Sequence, residues 1–302
     1  MRLFLPRRLW QNGIFLITLS MLLTPLGDAL SKQLGAQMPA LAIVFLRYLA
    51  AGLLALALAR ALGRPVCLPR SGRRALLLST ALVMASMALL VAALARAPLA
   101  LAVGAFMVAP LVAMLVAALL FGERLSPARL AGALSGFAGA MLILRPPGSF
   151  EPAMLLALAG GICLGLFLAL NRGGAGRQDP VSALAVQCLL GSAMLAPLAL
   201  PGLAAFRPAM ALPVLLLGLL TAATHFLTVG AYRKSDATTL APFFYVSLVV
   251  ALVVGLLWLG EFPAPSALFG MGLIALGGLL GVFGGAIGQG MRGFPRNRPQ
   301  FG

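Results

Sequence analysis

The chain has 302 residues, of which 62% are hydrophobic and only 9% are charged. A water-soluble domain carries roughly 25% charged and 45 to 50% apolar residues, so this composition excludes a soluble globule. The mean hydropathy of +1.06 is typical of helices that lie in lipid. The formal net charge is +16, but the basic residues stand singly or in small groups between apolar runs. That distribution indicates membrane topology and argues against a nucleic-acid-binding face.

Charges and prolines divide the chain into apolar segments, each close to the roughly 20 residues that a helix needs to cross a bilayer. In the first half we predict spanning helices over residues 13–34, 39–59, 75–94, 99–121 and 127–144. In the second half we predict them over residues 152–170, 181–200, 210–231, 237–259 and 266–286. The sequence thus predicts an all-α membrane protein with ten transmembrane helices and no separate soluble domain.

The first apolar segment follows a basic stretch, as the apolar core of a secretory signal peptide does. Asp28 and Lys32 interrupt it where a cleavage region would lie. We therefore expect a retained first span.

The orientation follows from the loops, because short loops rich in Lys and Arg stay on the cytoplasmic side. Counting the termini and every second loop, with Arg129 at the edge of the fifth span, gives 17 of the 22 basic residues, whereas the other loops hold only Arg96, Arg145 and Arg207. The 17 are Arg2, Arg7, Arg8, Arg60, Arg64, Arg70, Arg73, Arg74, Arg124, Arg129, Arg172, Arg177, Arg233, Lys234, Arg292, Arg296 and Arg298. We expect a multi-pass protein of the cell (inner) membrane with both termini cytoplasmic.

A stretch of the first half recurs 138 residues later. Between residues 106–142 and 244–280, 13 of 37 positions are identical without a gap, including Gly122 with Gly260 and Glu123 with Glu261. An internal repeat of this length indicates two copies of one unit. We place the copies at residues 1–148 and 149–288, followed by a cytoplasmic tail at 289–302. Because each copy has five spans, the second must be inverted relative to the first.

Inverted repeats allow a carrier to exchange two related conformations, one open to each side, around a site near the midplane. This symmetry is the main functional argument in the sequence. Gene duplication without alternating access stays open as an alternative, since a fold does not prove a function.

Several short segments resemble the drug/metabolite transporter superfamily, in its ten-span EamA-type branch. They are Asp28-Ala29-Leu30-Ser31-Lys32, Phe45-Leu46-Arg47-Tyr48, Phe121-Gly122-Glu123-Arg124, Leu144-Arg145-Pro146, Ala241-Pro242-Phe243-Phe244-Tyr245 and Gly260-Glu261-Phe262-Pro263. The resemblance covers nearly the whole chain and implies a transporter. The first and ninth spans look most like those of S-adenosylmethionine and riboflavin carriers.

Ionisable side chains in the predicted spans are few, and each costs at least about 2.5 kcal/mol to insert. Asp28 and Lys32 lie one helical turn apart and can pair. Arg47 lies at a similar depth in the second span. One interpretation is a charge network of Asp28, Lys32 and Arg47 that joins the first two spans. The other is a polar lining in which Asp28 or Arg47 meets a charged group of a solute.

Other polar residues are candidates for a solute site. Tyr245 in span nine combines an aromatic ring with a hydroxyl, so it suits either recognition of a planar solute or packing between helices. His225 in span eight is interpreted as a hydrogen-bonded core residue or as cavity lining. Gln187 and Asn171 are weaker candidates.

Breaks and close contacts in the bundle are also predicted. Pro110 removes a helical hydrogen bond in span four, which predicts a kink. Glycines with small-xxx-small spacing predict close helix packing inside the bundle or dimerisation. Glu123 and Glu261 lie at helix ends and are interpreted as interfacial residues.

The favoured function is a secondary transporter that moves a small amphipathic metabolite by alternating access. A flippase for a lipid-linked head group is the alternative. An intramembrane hydrolase is disfavoured, because the sequence has no GxSxG or HExxH motif and a single histidine. We expect no cofactor and no metal, since Cys67, Cys163 and Cys188 have no ligand spacing. The expected partners are the solute and the bilayer, and the chain is expected to be a monomer or a homodimer.

Overall fold

The computed structural model describes residues 12–68, 72–121, 127–144, 152–171, 179–232, 234–235, 240–262 and 265–290. All regular elements within these ranges are helices, as the sequence predicts. The α-helices are α1 (Gly13–Gly35), α2 (Ala40–Ala61), α3 (Arg73–Leu94), α4 (Leu99–Phe106), α5 (Ala109–Phe121), α6 (Pro127–Leu144), α7 (Pro152–Asn171), α8 (Pro180–Ala199), α9 (Ala211–Tyr232), α10 (Val246–Leu259) and α11 (Pro265–Gly290). Short 3-10 helices occur at Leu200–Ala205, Pro208–Met210 and Ala241–Tyr245.

Local sequence explains where individual helices begin. The Asn12 side chain accepts a hydrogen bond of 2.9 Å from the Ile14 amide and caps α1. Asp179 accepts one of 3.1 Å from the Ser182 amide, and Pro180 follows it as the first residue of α8. Both are side chains that satisfy the unpaired N–H groups of a first helical turn.

Several helices have the length and apolarity to cross a membrane. Six described segments qualify: Gly13–Gly35, Ala40–Ala61, Arg73–Leu94, Pro152–Leu170, Pro180–Ala205 and Pro208–Ala231. Shorter apolar helices cover Leu99–Ala113, Phe243–Leu259 and Leu268–Gly277. The chain is therefore a multi-pass membrane protein.

Two predicted spans are discontinuous. In span four, α4 ends at Phe106 and α5 begins at Ala109. Pro110 has no N–H to offer the Phe106 carbonyl, which is the physical reason for the predicted break. In span nine, the 3-10 helix that ends at Tyr245 gives way to α10. Residues 107 and 245 are 138 apart, so the two breaks occupy the same position of the repeat.

The repeated helices α6 and α11 cross each other closely. The Ser135 hydroxyl donates to the Leu273 carbonyl at 2.9 Å, and these two residues are equivalent in the repeat. A Cβ on Gly139 would overlap the Gly270 carbonyl oxygen, and one on Gly277 would overlap that of Gly132. The partner numbers fall as the residue numbers rise, so α6 and α11 run antiparallel.

The bundle has two ends, each defined by the residues that meet there. At one end, which we call the Lys32 face, Lys32 near the end of α1 donates to the Ala97 carbonyl in the turn between α3 and α4. Gly202, in the 3-10 helix after α8, lies against Pro39 at the same end.

The opposite end, which we call the Arg64 face, holds the beginning of α1. Gly13 there lies against Ser235, which follows α9. Arg64, which follows α2, forms an ion pair with Asp179 at the beginning of α8. This pair joins the two halves of the chain.

Candidate functional site

The most deeply buried charges of the described residues lie on α1 and α2. Asp28 is 3% exposed and Arg47 is 5% exposed, and Asp28 Oδ1 lies 3.6 Å from Arg47 Nη1. Arg47 also donates from Nε to the Thr221 hydroxyl of α9 at 2.7 Å. This hydroxyl donates in turn to the Leu217 carbonyl. The charges of the first half are thereby tied to a helix of the second half.

The Asp28–Arg47 contact is an ion pair without a hydrogen bond between the facing atoms. Asp28 Oδ1 and Arg47 Nη1 are both buried and have no hydrogen-bond partner among the described residues. A buried polar group without a partner costs about 1 to 3 kcal/mol, and more when it is charged. The pair therefore keeps an acceptor and a donor that a polar group of a ligand can satisfy.

Lys32 forms its ion pair with Glu261, although Asp28 lies only one helical turn away on α1. Its ammonium lies 2.8 Å from Glu261 Oε1, and it donates to the Ala97 carbonyl. Among the ion pairs of the described residues, Lys32 is joined to Glu261 and Asp28 is joined to Arg47. The three charges proposed as one network thus belong to two separate pairs.

Hydroxyl groups continue the polar contact between α1 and α9. Ser20 donates to the Thr224 carbonyl and shares a hydrogen bond with the Thr228 hydroxyl, each at 2.9 Å. The sequence alone did not single out these hydroxyl groups or Thr221. Their spacing does indicate shared faces, because Ser20 and Asp28 lie eight residues apart on one face of α1. Thr221 and Thr228 lie seven residues apart on one face of α9.

The other predicted site residues are spread over several helices. His225 is partly exposed and lies one turn beyond Thr221 on α9. Gln187 is partly exposed on α8, beside the buried Cys188. Asn171 is the last residue of α7, and its side chain lies outside the described part of the chain, as does Glu123.

Tyr245 lies on another side of α1 from the ion pair. It is 6% exposed and belongs to an apolar cluster with Ala29, Met107 and Leu248, against which Leu26 packs. The neighbouring Ser247 hydroxyl donates to the Phe244 carbonyl at 2.6 Å and lies 3.8 Å from the Met107 sulfur. The two helix breaks therefore meet at this cluster.

A half-exposed ion pair lies on the Arg64 face. Desolvation raises the pKa of Asp179, but hydrogen bonds from Ser182 and the charge of Arg64 outweigh it, so the pKa is lowered from the ordinary value of 3.8. The carboxylate thus stays charged and holds the beginning of α8 against the loop after α2.

The cysteines are free where the structure describes them. Cys67 is exposed, Cys163 is partly exposed and Cys188 is buried. No group of three or more His, Cys, Asp or Glu side chains in the described ranges is arranged to hold a metal ion.

Buried charges between the halves of an apolar, two-repeat helical bundle define a multi-pass membrane protein of the transporter type. Residues 11–145 and residues 151–284 each match the EamA-like transporter family. The chain belongs to this family, and its two matched segments show the two-repeat architecture.

Two curated relatives are similar over part of the chain. A riboflavin transporter of Rhizobium johnstonii is 32% identical over 163 residues, which are 53% of this chain and 54% of the relative. A probable terminal-alkyne amino-acid exporter of Streptantibioticus cattleyicolor is 31% identical over 180 residues, which are 57% of this chain and 58% of the relative. The chain thus spans little more than half the length of the curated relatives it matches.

A solved crystal structure has the same fold. It superposes with a TM-score of 0.67 at 22% sequence identity, and the match covers 92% of this chain and 98% of the other. At this identity the similarity shows the fold alone.

Proposed function

We propose that this chain is a secondary transporter that moves a small amphipathic metabolite across the cell membrane by alternating access, without a catalytic step. The observation that carries the proposal is the buried Asp28–Arg47 pair and its hydrogen bond to Thr221. Charged residues inside a membrane bundle are expensive and mark solute or ion pathways. Because this cluster joins the two halves, a movement of one half against the other changes its surroundings.

The proposed topology is ten spans in two inverted five-span repeats. The antiparallel crossing of α6 and α11 supports it, because equivalent helices that meet through equivalent residues are related by an axis perpendicular to both. In a membrane such an axis lies in the plane of the bilayer, which is the arrangement of inverted repeats. The proposed orientation places both termini and the Arg64 face in the cytoplasm.

The proposed site has a polar part and an apolar part on two sides of α1. Asp28 and Arg47 offer an acceptor and a donor to the polar end of the solute, with His225, Gln187 and Asn171 as further polar lining. Tyr245 and its apolar cluster take the planar or aliphatic part. The two curated relatives are named for riboflavin and for a terminal-alkyne amino acid, and both solutes combine polar and apolar parts.

Counterflow in liposomes tests the proposal. Vesicles with the purified protein are loaded with unlabelled riboflavin or an apolar amino acid, and entry of the labelled solute is followed. We expect saturable counterflow of at least one of the two, and its loss in Asp28→Asn. Absence of counterflow of both by a folded protein would contradict the metabolite proposal. Movement of a labelled lipid-linked head group instead would favour the flippase.

Tyr245→Phe tests the apolar part of the site. The ring is kept and only the hydroxyl is lost, so we expect a loss of affinity of about 2- to 13-fold, or about 0.5 to 1.5 kcal/mol. Alanine is unsuitable, because removing a buried ring costs about 3 to 5 kcal/mol of stability. Ser192→Ala on α8 is a matched control, since it removes a hydroxyl that donates within its own helix. Equal affinity of Tyr245→Phe and the parent would exclude the Tyr245 hydroxyl from the site.

A further inference from the structure

One carboxylate of the second half holds the first half at the Lys32 face. Glu261 Oε1 lies 2.8 Å from the Lys32 ammonium, and Glu261 Oε2 accepts a hydrogen bond of 2.6 Å from the Leu99 amide. Lys32 also donates to the Ala97 carbonyl. The end of α1, the turn after α3 and the beginning of α4 are thereby joined to the residue that follows α10.

The backbone at the end of α10 aims Glu261 at these partners. Gly260 has a φ of 65°, which favours glycine because other side chains are strained there. The Glu261 amide then donates to the Gly255 carbonyl at 2.9 Å. A Cβ on Gly255 would lie 3.5 Å from Glu261 Oε2, an ordinary contact distance, so the carboxylate packs against this turn of α10. The chain thus turns back over its own helix end and presents the carboxylate to the first half.

The Lys32 face is closely packed around this carboxylate. A Cβ on Gly35, the last residue of α1, would lie 3.2 Å from the Ala95 Cβ in the turn after α3. Leu99 and Ala102 beneath it are fully buried. The described residues around Glu261 are therefore closely packed at the Lys32 face.

The Lys32–Glu261 and Asp28–Arg47 pairs differ in how readily they can separate. The side chains of Lys32 and Glu261 are 20% and 18% exposed, whereas those of Arg47 and Asp28 are 6% and 4% exposed. Separating a buried pair leaves uncompensated charges and is strongly unfavourable. A pair in partial contact with water separates more readily, because water can hydrate both charges. Of these two pairs, the Lys32–Glu261 pair is therefore the one suited to open and close.

We propose that Lys32 and Glu261 form the gate that closes the Lys32 face of the transporter. The inference rests on the proposed alternating access, in which this face must open for the solute to enter or leave. Opening separates the end of α10 from α1 and α4 and breaks both contacts of the Glu261 carboxylate. In the proposed orientation this gate faces the outside of the cell.

Thiol labelling beneath the gate tests this proposal. In a chain whose three cysteines are replaced by alanine, Ala102→Cys places a reporter one turn beyond Leu99 on α4. Its reaction rate with a polar maleimide reports how often the Lys32 face opens. We expect Glu261→Gln and Lys32→Gln each to raise this rate about fivefold, the change that corresponds to about 1 kcal/mol. The double variant should be no faster than either single one, because both remove the same pair.

Arg64→Gln is the matched control, since it removes an ion pair between the halves at the opposite face, and it should not raise the rate. Melting temperatures separate opening from unfolding.

An unchanged rate in both Glu261→Gln and Lys32→Gln, or an equal rise in Arg64→Gln, would reject the gate. Transport with unchanged labelling would reject the gate and keep the proposed function. If Glu261→Gln and Lys32→Gln label faster but the protein shows no counterflow, the pair still controls access to the Lys32 face, and the proposed solute class is rejected.

Discussion

Single side chains of this protein decide how its halves are joined. Asp28 and Arg47 lie on neighbouring helices of the first half, and Thr221 brings the second half to them through one hydrogen bond. Their charges are almost fully removed from water. In such surroundings each charge depends on the other, because an unpaired ion inside a bundle has no solvent to replace its partner.

A double-mutant cycle tests this dependence. Asp28→Asn leaves an uncompensated cation and Arg47→Gln an uncompensated anion, so we expect each to lower the free energy of unfolding by about 3 kcal/mol. The double variant should lose clearly less than the sum of the two. Unfolding in mixed micelles measures all three. Thr221→Val is the control, since it removes the hydroxyl that accepts from Arg47 and donates to Leu217 but leaves both charges, and it should cost about 1 to 3 kcal/mol. Strictly additive losses would show that the two charges are not coupled.

Asp179 gives a pH dependence on the Arg64 face. Its pKa is lowered in the folded chain, so its charge stabilises the fold above the ordinary value of 3.8 and this contribution is lost as the pH falls through the folded pKa. We expect the melting temperature of the parent to exceed that of Asp179→Asn by about 2 °C or less at pH 7. The difference should shrink as the pH falls below 3.8 and vanish below the lowered pKa of the folded chain. Asparagine keeps the helix cap, so a difference independent of pH would contradict the role of the charge.

Among the elements, the repeat is visible in the pairs that equivalent helices form. The breaks at Met107 and Tyr245 fall at the same repeat position and meet in one apolar cluster. Helices α6 and α11 cross through Ser135 and its equivalent Leu273. Paired discontinuous helices are where inverted-repeat carriers bind their solutes, which agrees with the proposed place of Tyr245.

The crossing of α6 and α11 depends on small residues. Alanine at Gly139 or at Gly277 would overlap a backbone carbonyl of the facing helix, so we expect each to destabilise the protein by about 1 to 3 kcal/mol. The two losses should be similar, because the positions are equivalent in the repeat. Gly272→Ala, also on α11, is the control, since a Cβ there meets nothing within 4 Å. Neutral effects of both Gly139→Ala and Gly277→Ala would contradict the close crossing.

At the level of the whole molecule, the charges distinguish the two ends. Arg64, Arg73 and Lys234 lie at the ends of helices on the Arg64 face, whereas Arg96 and Arg207 lie on the opposite side. Basic residues in short loops are retained in the cytoplasm. The distribution supports the proposed orientation, with the gate outside and the Arg64–Asp179 pair inside.

Cysteine labelling in intact cells checks this orientation. With Cys163 and Cys188 replaced by alanine, the exposed Cys67 after α2 is a natural reporter of the Arg64 face. We expect an impermeant maleimide to label Arg207→Cys in intact cells, and to label Cys67 and Arg298→Cys only after lysis. Equal labelling of all three before lysis, in cells shown to be sealed, would contradict the topology.

Much of the fold was predictable because its signals are local along the chain. Apolar length and the residues that interrupt it place the helices to within a few residues, and Pro110 marks the break between α4 and α5. The family was also predictable, since short motifs around Asp28, Arg47 and Glu261 carry the resemblance that the matched segments confirm.

The partners of the charged side chains were decided only by the tertiary structure. On α1 alone, Lys32 can reach Asp28 one turn away, yet it pairs with a glutamate 229 positions further along the chain. Thr221 likewise meets Arg47 from 174 positions away. Hydropathy and helical spacing describe one helix at a time, whereas these pairs follow from which helix faces pack together. The sequence by itself thus determined the class, the helices and the repeat, and the packing of distant helices determined the ion pairs on which site and gate depend.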